Sequence, residues 1–230
     1  MIVAKKKLIK EIAESLSGCK RVLVVACGSC VTVCLSGGAK QADELASQLR
    51  LAARAAGGKL TVDTDCMERQ CDREFVSQLT HDPKNYDAVL SIACGVGVGF
   101  MSELFPAARV LPGLNTTFYG AATADGVWEE YCHGCGDCVL AMTGGVCPIA
   151  RCSKSLVNGP CGGTTKTGKC EVSPDMDCGW HLIYERAKAA GRLEALRALP
   201  VQKPRNWAKD RSGGARRLIH KELTNPEDGR

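Results

Sequence analysis

Fourteen of the chain's 15 cysteines fall into two groups: Cys27, Cys30, Cys34, Cys66, Cys71 and Cys94 in the first half, and Cys132, Cys135, Cys138, Cys147, Cys152, Cys161, Cys170 and Cys178 in the second. Thiols this dense serve as disulfides, as redox pairs or as ligands of soft metal ions. Residues 1–10 carry charges where an export signal has an apolar run, and no apolar run reaches the roughly 20 residues of a membrane-spanning helix. A cytoplasmic, reducing location is therefore expected, and with it metal ligation rather than disulfides.

The second group has the more specific spacing. Cys132-His133-Gly134-Cys135-Gly136-Asp137-Cys138, followed by Cys147-Pro148, carries the CxxCxxC and Cys-Pro elements of bacterial ferredoxins, with eight residues before the last cysteine where the ferredoxin run has three. A [4Fe-4S] cluster takes one thiolate per iron, and glycines between the ligands let backbone amides point at the sulfurs. Cys152, Cys161, Cys170 and Cys178 are then left to complete that cluster or to hold a separate tetrahedral zinc. His133 and His181 are read as an exposed neighbour and a packing residue.

The first group is scattered, and only a fold can gather it. Apolar runs at 21–26, 60–64 and 88–93 alternate with helical segments at 39–56 and 73–79, the pattern of βαβ units. A small doubly wound, flavodoxin-like or Rossmann-like parallel-sheet domain is predicted over residues 1–125. Residues 109–111 supply a fourth, shorter strand, and Leu8, Ile9, Ile12 and Leu16 mark an amphipathic helix over 5–16. In an open parallel sheet the loops after the strands leave on one edge. Cys27, Cys30 and Cys34 follow the first strand, Cys66 and Cys71 the second and Cys94 the third, so five or six thiols should converge. An iron–sulfur cluster is the leading reading, against zinc, a dithiol redox pair or plain buried cysteines. Its expected ligands are Cys27 or Cys30 with Cys34, Cys66 and Cys94, and Cys71 in reserve. Cys19 lies before the first strand and is read as structural.

A nucleotide site would need GxGxxG in the first strand-to-helix turn, which instead reads Cys27-Gly28-Ser29-Cys30. The glycine run Gly95-Val96-Gly97-Val98-Gly99 follows the third strand, where a close backbone approach to a cluster accounts for it. Residues 126–200 form a cysteine-rich domain with no periodicity between Tyr131 and Cys178, too poor in apolar residues to fold without metal staples. It ends in a helix over 180–199 with a break at Gly191. The basic tail, 201–230, reads as an arm that orders on a partner.

The elements Cys132-His-Gly-Cys-Gly-Asp-Cys, Thr143-Gly-Gly-Val-Cys-Pro, Asn158-Gly-Pro-Cys-Gly-Gly, Gly168-Lys-Cys-Glu-Val and Asp177-Cys-Gly-Trp together resemble the methylenetetrahydrofolate reductase C-terminal domain family, and within it the stand-alone MetV-type iron–sulfur subunits. The resemblance covers most of residues 20–200. It implies a non-catalytic electron-transfer and assembly subunit of a flavin-dependent 5,10-methylenetetrahydrofolate reductase, in one-carbon metabolism and the reductive acetyl-CoA pathway. Two [4Fe-4S] clusters are implied, with zinc in some members. The implied partner is a MetF-type flavoprotein that carries FMN or FAD and binds the folate. The first domain also resembles small iron–sulfur subunits of heterodisulfide-reductase-type complexes.

Two rival readings stand beside this one: a zinc-stabilised scaffold, and a zinc-dependent methyltransferase component in which a bound thiolate is activated. Nucleic acid is disfavoured. The net charge is only +5, and the basic runs, 5–7 and 203–217, lie at the ends without interleaved aromatic residues. No Ser/His/Asp order, paired-carboxylate motif or Walker sequence marks a catalytic apparatus.

Overall fold

Strands rich in β-branched residues with no polar alternation belong inside a sheet covered on both faces. β2 (Arg21–Cys27) and β4 (Ala88–Ile92) are such strands, buried along almost their whole length. They pair in parallel at the centre of a four-stranded sheet, with β3 (Thr61–Met67) outside β2 and β5 (Val110–Pro112) outside β4. This computed structural model describes residues 1–198, so the predicted tail lies outside the described residues. The chain divides into two units, Met1–Glu130 and a second beginning at Tyr131.

Alternate residues of the central strands feed two cores. Val22, Val24, Ala26, Leu90 and Ile92 meet α1 (Ile9–Ser15) and α3 (Ala39–Ala55) through Ile12, Ala42, Ala46 and Leu49. Leu23, Val25 and Val89 meet Val76 of α4 (Arg73–Val76) and Met101 of α5 (Gly95–Leu104) on the other face. The first unit is therefore the expected doubly wound α/β sheet. Its order, β3-β2-β4-β5, is that of flavodoxin-type sheets, which reverse direction between the two central strands and bind ligands at that switch point. A short α2 (Cys30–Val33) follows β2 there.

The N-terminus departs from expectation. The predicted helix over 5–16 begins only at Ile9. Residues before it form β1 (Ile2–Lys6), which pairs antiparallel with β6 (Leu114–Ala124). Leu8 is exposed while Ile12 and Leu16 are buried, so the helical spacing holds for little more than two turns, and the apolar Ile2-Val3-Ala4 finds a sheet partner instead. β7 (Val127–Cys132) completes this second sheet, order β1-β6-β7. Asp125-Gly126 makes the β6–β7 turn, with Gly126 at φ +74°, a left-handed conformation that favours glycine. This hairpin, absent from the sequence reading, extends the first unit to Glu130.

The second unit is irregular from Tyr131 to Cys178 apart from α6 (Pro148–Arg151) and an isolated bridge between Lys169 and Asp177. It closes with α7 (Gly179–Ala189) and α8 (Leu193–Arg197), separated at Gly191 as expected. Its buried core among the described residues is small: Val146, Trp180 and Ile183, with Cys152, Cys178, Leu182 and Leu196 packed against them.

Candidate functional site

The switch point of the first unit is built from cysteine-bearing strand ends. Cys27 is the last residue of β2, Cys30 opens α2 and Cys94 caps the N-terminus of α5 directly after β4. Cys71 reaches them from the loop after β3. Its thiol is pushed above its usual range by partial burial first, then by the neighbouring thiols of Cys27, Cys94 and Cys30, although the residue as a whole is exposed. Cys71 thus lies within electrostatic reach of thiols from the other two strand ends. Cys66, on the edge strand and in register with Ala26, is likewise pushed up by burial, then by Cys27 and Asp65.

Cys34 takes a different place. It is buried, and its Sγ lies 3.5 Å from the Val31 carbonyl, 3.6 Å from Ser36 Oγ and 3.8 Å from the carbonyl of Ala4 in β1. The thiol is engaged within the core and against β1. Cys19 precedes β2, half-buried, with Arg109 Nη1 at 3.7 Å from its sulfur.

Backbone and hydroxyl contacts fix the loops that carry the four thiols. Ser29 Oγ donates to the Glu68 carbonyl at 2.8 Å and Gly28 N to that of Met67 at 2.8 Å, tying the β2 end to the β3 end. Thr32 Oγ1 donates to the Cys27 carbonyl at 2.7 Å, and Gly95 N donates to Thr116 Oγ1 of β6 at 2.8 Å. The glycine run after β4 is not an open loop but the first turns of α5. A Cβ at Gly97 would stand 2.8 Å from the Ala93 Cβ and 2.9 Å from the Gln70 Cβ, so packing against Gln70 accounts for that glycine. Gln70 itself is fully buried, and no spacing or composition had marked it.

In the second unit, Cys132 ends β7, Cys135 and Cys138 follow in irregular chain, and Cys147 caps α6. Gly134 N donates to Cys132 Sγ at 3.3 Å. The other four cysteines, Cys152, Cys161, Cys170 and Cys178, line one cavity together with Ser153, Lys154 and Trp180. Three of their sulfurs meet donors. Gly163 N points at Cys161 at 3.4 Å, Thr164 Oγ1 at Cys178 at 3.1 Å, and Ser153 Oγ lies 3.4 Å from Cys170. The Ser153 hydroxyl, and after it the amides of Val172 and Ser173, hold the Cys170 thiol below its usual range. Glu171, paired with Lys154, accepts from the Cys161 thiol at 3.5 Å. His181 packs its ring against Gly168.

These environments fit a thiophilic cation in opposite ways. At the switch point, burial and the neighbouring thiols keep Cys71 protonated until a cation takes the proton's place. In the cavity, the Ser153 hydroxyl and two backbone amides stabilise the Cys170 thiolate in advance. Among the described residues no three Cys, His, Asp or Glu side chains already close on a single point as the ligands of one ion do. In the metal-free chain at pH 8, Cys170 is therefore expected to react with iodoacetamide ahead of Cys71, because its lowered pKa gives the larger thiolate fraction. Peptide mass spectrometry against time checks the order, and faster alkylation of Cys71 would contradict these electrostatics.

Residues 111–208 match the family model described as Methylene-tetrahydrofolate reductase C terminal. The match begins in β5 and takes in all eight cysteines of the second group. This stretch is therefore similar to the C-terminal region of methylene-tetrahydrofolate reductases, as its motifs suggested. The match leaves out most of the first unit, with Cys27, Cys30, Cys71 and Cys94. No curated protein and no solved structure matches the chain. No helix among the described residues is long and apolar enough to cross a membrane.

Proposed function

We propose that this chain is the iron–sulfur electron-transfer and assembly subunit of a flavin-dependent 5,10-methylenetetrahydrofolate reductase complex, and that it works with a MetF-type flavoprotein. The observation that carries this reading is the placement of Cys27, Cys30 and Cys94 on the strand ends at the switch point of a flavodoxin-type sheet, with Cys71 in their electrostatic reach, in a chain whose second half matches the reductase-related family. In this reading those four thiols hold one [4Fe-4S] cluster and Cys132, Cys135, Cys138 and Cys147 hold another. Cys152, Cys161, Cys170 and Cys178 bind a further metal, for which zinc fits the donor-lined cavity. When bound, the clusters supply one-electron storage; flavin and folate chemistry belongs to the partner.

The residues of this chain then have definable tasks. Thr32 and Ser29 pin the β2 end, Thr116 holds the first amide of α5, and the buried strands β2 and β4 set the separation between the thiols. The test is reconstitution. The anaerobically loaded chain mixed with a MetF-type flavoprotein should co-elute with it and support viologen-driven reduction of 5,10-methylenetetrahydrofolate, whereas the loaded chain alone should not. Folate reduction by the isolated chain would refute the assignment, as would a flavoprotein that neither binds this chain nor needs it.

A further inference from the structure

The chain leaves β3 on the outer side of β2, yet Cys71 must reach the gap between β2 and β4. Cys66 stays on the edge strand; something has to bring the loop four residues beyond Met67 inward. Gln70 is the residue in place to do so. It is wholly buried, immediately before Cys71, and its amide bridges the two central strands: Nε2 donates to the Val25 carbonyl of β2 at 2.9 Å, and Oε1 accepts from Ser91 Oγ of β4 at 2.6 Å. Ser91 is itself wholly buried, and its Oγ also accepts from Ala93 N at 3.3 Å, one residue before Cys94. On the α5 side, Gly97 leaves room for the Gln70 Cβ. One amide thus links β2, β4 and the loop carrying Cys71, with both of its ends satisfied in a core otherwise made of Leu23, Val25, Val89 and Met101.

We infer that Gln70 is a positioning residue: its buried amide locks the Cys71 thiol over the gap between β2 and β4, and so sets the properties of the group that the four thiols bind. This rests on the ligand set proposed above. An apolar side chain of equal length would fill the space at Gln70 but leave the Val25 carbonyl and the Ser91 hydroxyl without this partner, and the loop would lose its only side-chain tie to both central strands among the hydrogen bonds described. The loop that carries Cys71 would then be free to move away from the central strands. Ser91→Ala removes the donor to Gln70 Oε1, and with it the acceptor of Ala93 N, but keeps the bond from Gln70 to Val25, and should act in the same direction with a smaller effect.

The experiment compares Gln70→Met and Ser91→Ala with the parent chain, in metal-free and anaerobically reconstituted forms. In the metal-free chain, alkylation of Cys71 at pH 8 should be severalfold faster in Gln70→Met, as expected for a loop released from its anchor, while Cys170 keeps its rate. In the reconstituted chain, the midpoint potential and electron paramagnetic resonance signal of one cluster should shift, or its iron be lost, while the other cluster is unchanged. Ser91→Ala should give an intermediate change in both readouts, and it decides the matter if Gln70→Met does not fold. Parental alkylation rates, iron content and potentials in a folded variant would overturn the inference. Failure of the underlying ligand set reads out separately: Cys71→Ser would then keep all of its iron, whatever the Gln70 variants do.

Discussion

Replacing Cys71 by serine is expected to cut the iron of the anaerobically reconstituted chain from roughly eight atoms to roughly four, whereas Cys34→Ser should leave it whole. The contrast follows from where each sulfur goes. Cys71 is under the influence of Cys27, Cys94 and Cys30, whereas Cys66, which Cys27 also influences, is held on the edge strand outside β2. Cys34 faces carbonyl oxygens of Ala4 and Val31 and the Ser36 hydroxyl, where serine would substitute one donor for another at modest cost to the core. Iron and acid-labile sulfide analysis, with the visible spectrum, reads the result. Full iron in Cys71→Ser, or half in Cys34→Ser, would put the ligand set back to the one expected from spacing alone.

The proposed ligand set, which takes Cys71 and leaves out Cys34 and Cys66, shows how far the sequence was legible. The apolar runs at β2 and β4 stand out because strands buried on both faces cannot hide among polar residues, and their ends carry Cys27 and Cys94 openly. The convergence of the first group on one sheet edge followed from topology. The surroundings of the individual thiols did not, because two features shape them that leave no periodic mark. One is β1, whose Ala4 carbonyl faces the Cys34 sulfur and accepts from Ser36 Oγ at 2.6 Å. Its five residues carry lysines and merge by pattern into the following helix. The other is Gln70, a single buried amide whose partners lie 45 and 21 residues away in sequence. The β6–β7 hairpin did leave a signal, Asp125-Gly126 between two strand-like segments, and a reading of turns would have found it. In the second unit the motifs were plain, yet the gathering of Cys152, Cys161, Cys170 and Cys178 depends on irregular backbone that no periodicity encodes.

Stripping metal from the chain is expected to unfold the second unit and leave the first standing. The first unit has two apolar cores on either side of a sheet whose central strands are fully covered, and it folds on hydrophobic burial alone. The second has a small buried core, the cluster Val146, Trp180 and Ile183 with Ile149 buried besides, and cysteines complete it: Cys152 and Cys178 pack against that cluster and also line the cavity. A thiolate-bound structural metal contributes on the order of 10 kcal/mol of folding free energy, which a core of that size cannot replace. Hydrogen exchange followed by mass spectrometry separates the units. After removal of metal, amides of α7 should exchange at nearly the free-peptide rate while those of β2 and β4 keep their protection. Emission from Trp180, whose Nε1 donates to the Leu156 carbonyl at 2.8 Å, should move to the red as that contact is lost. Cys161→Ser combined with Cys178→Ser should reproduce both changes without a chelator and leave the iron bound by the first unit in place. Protection of α7 that survives in the metal-free chain would mean that the second unit folds on packing, and that its cysteines do not staple it.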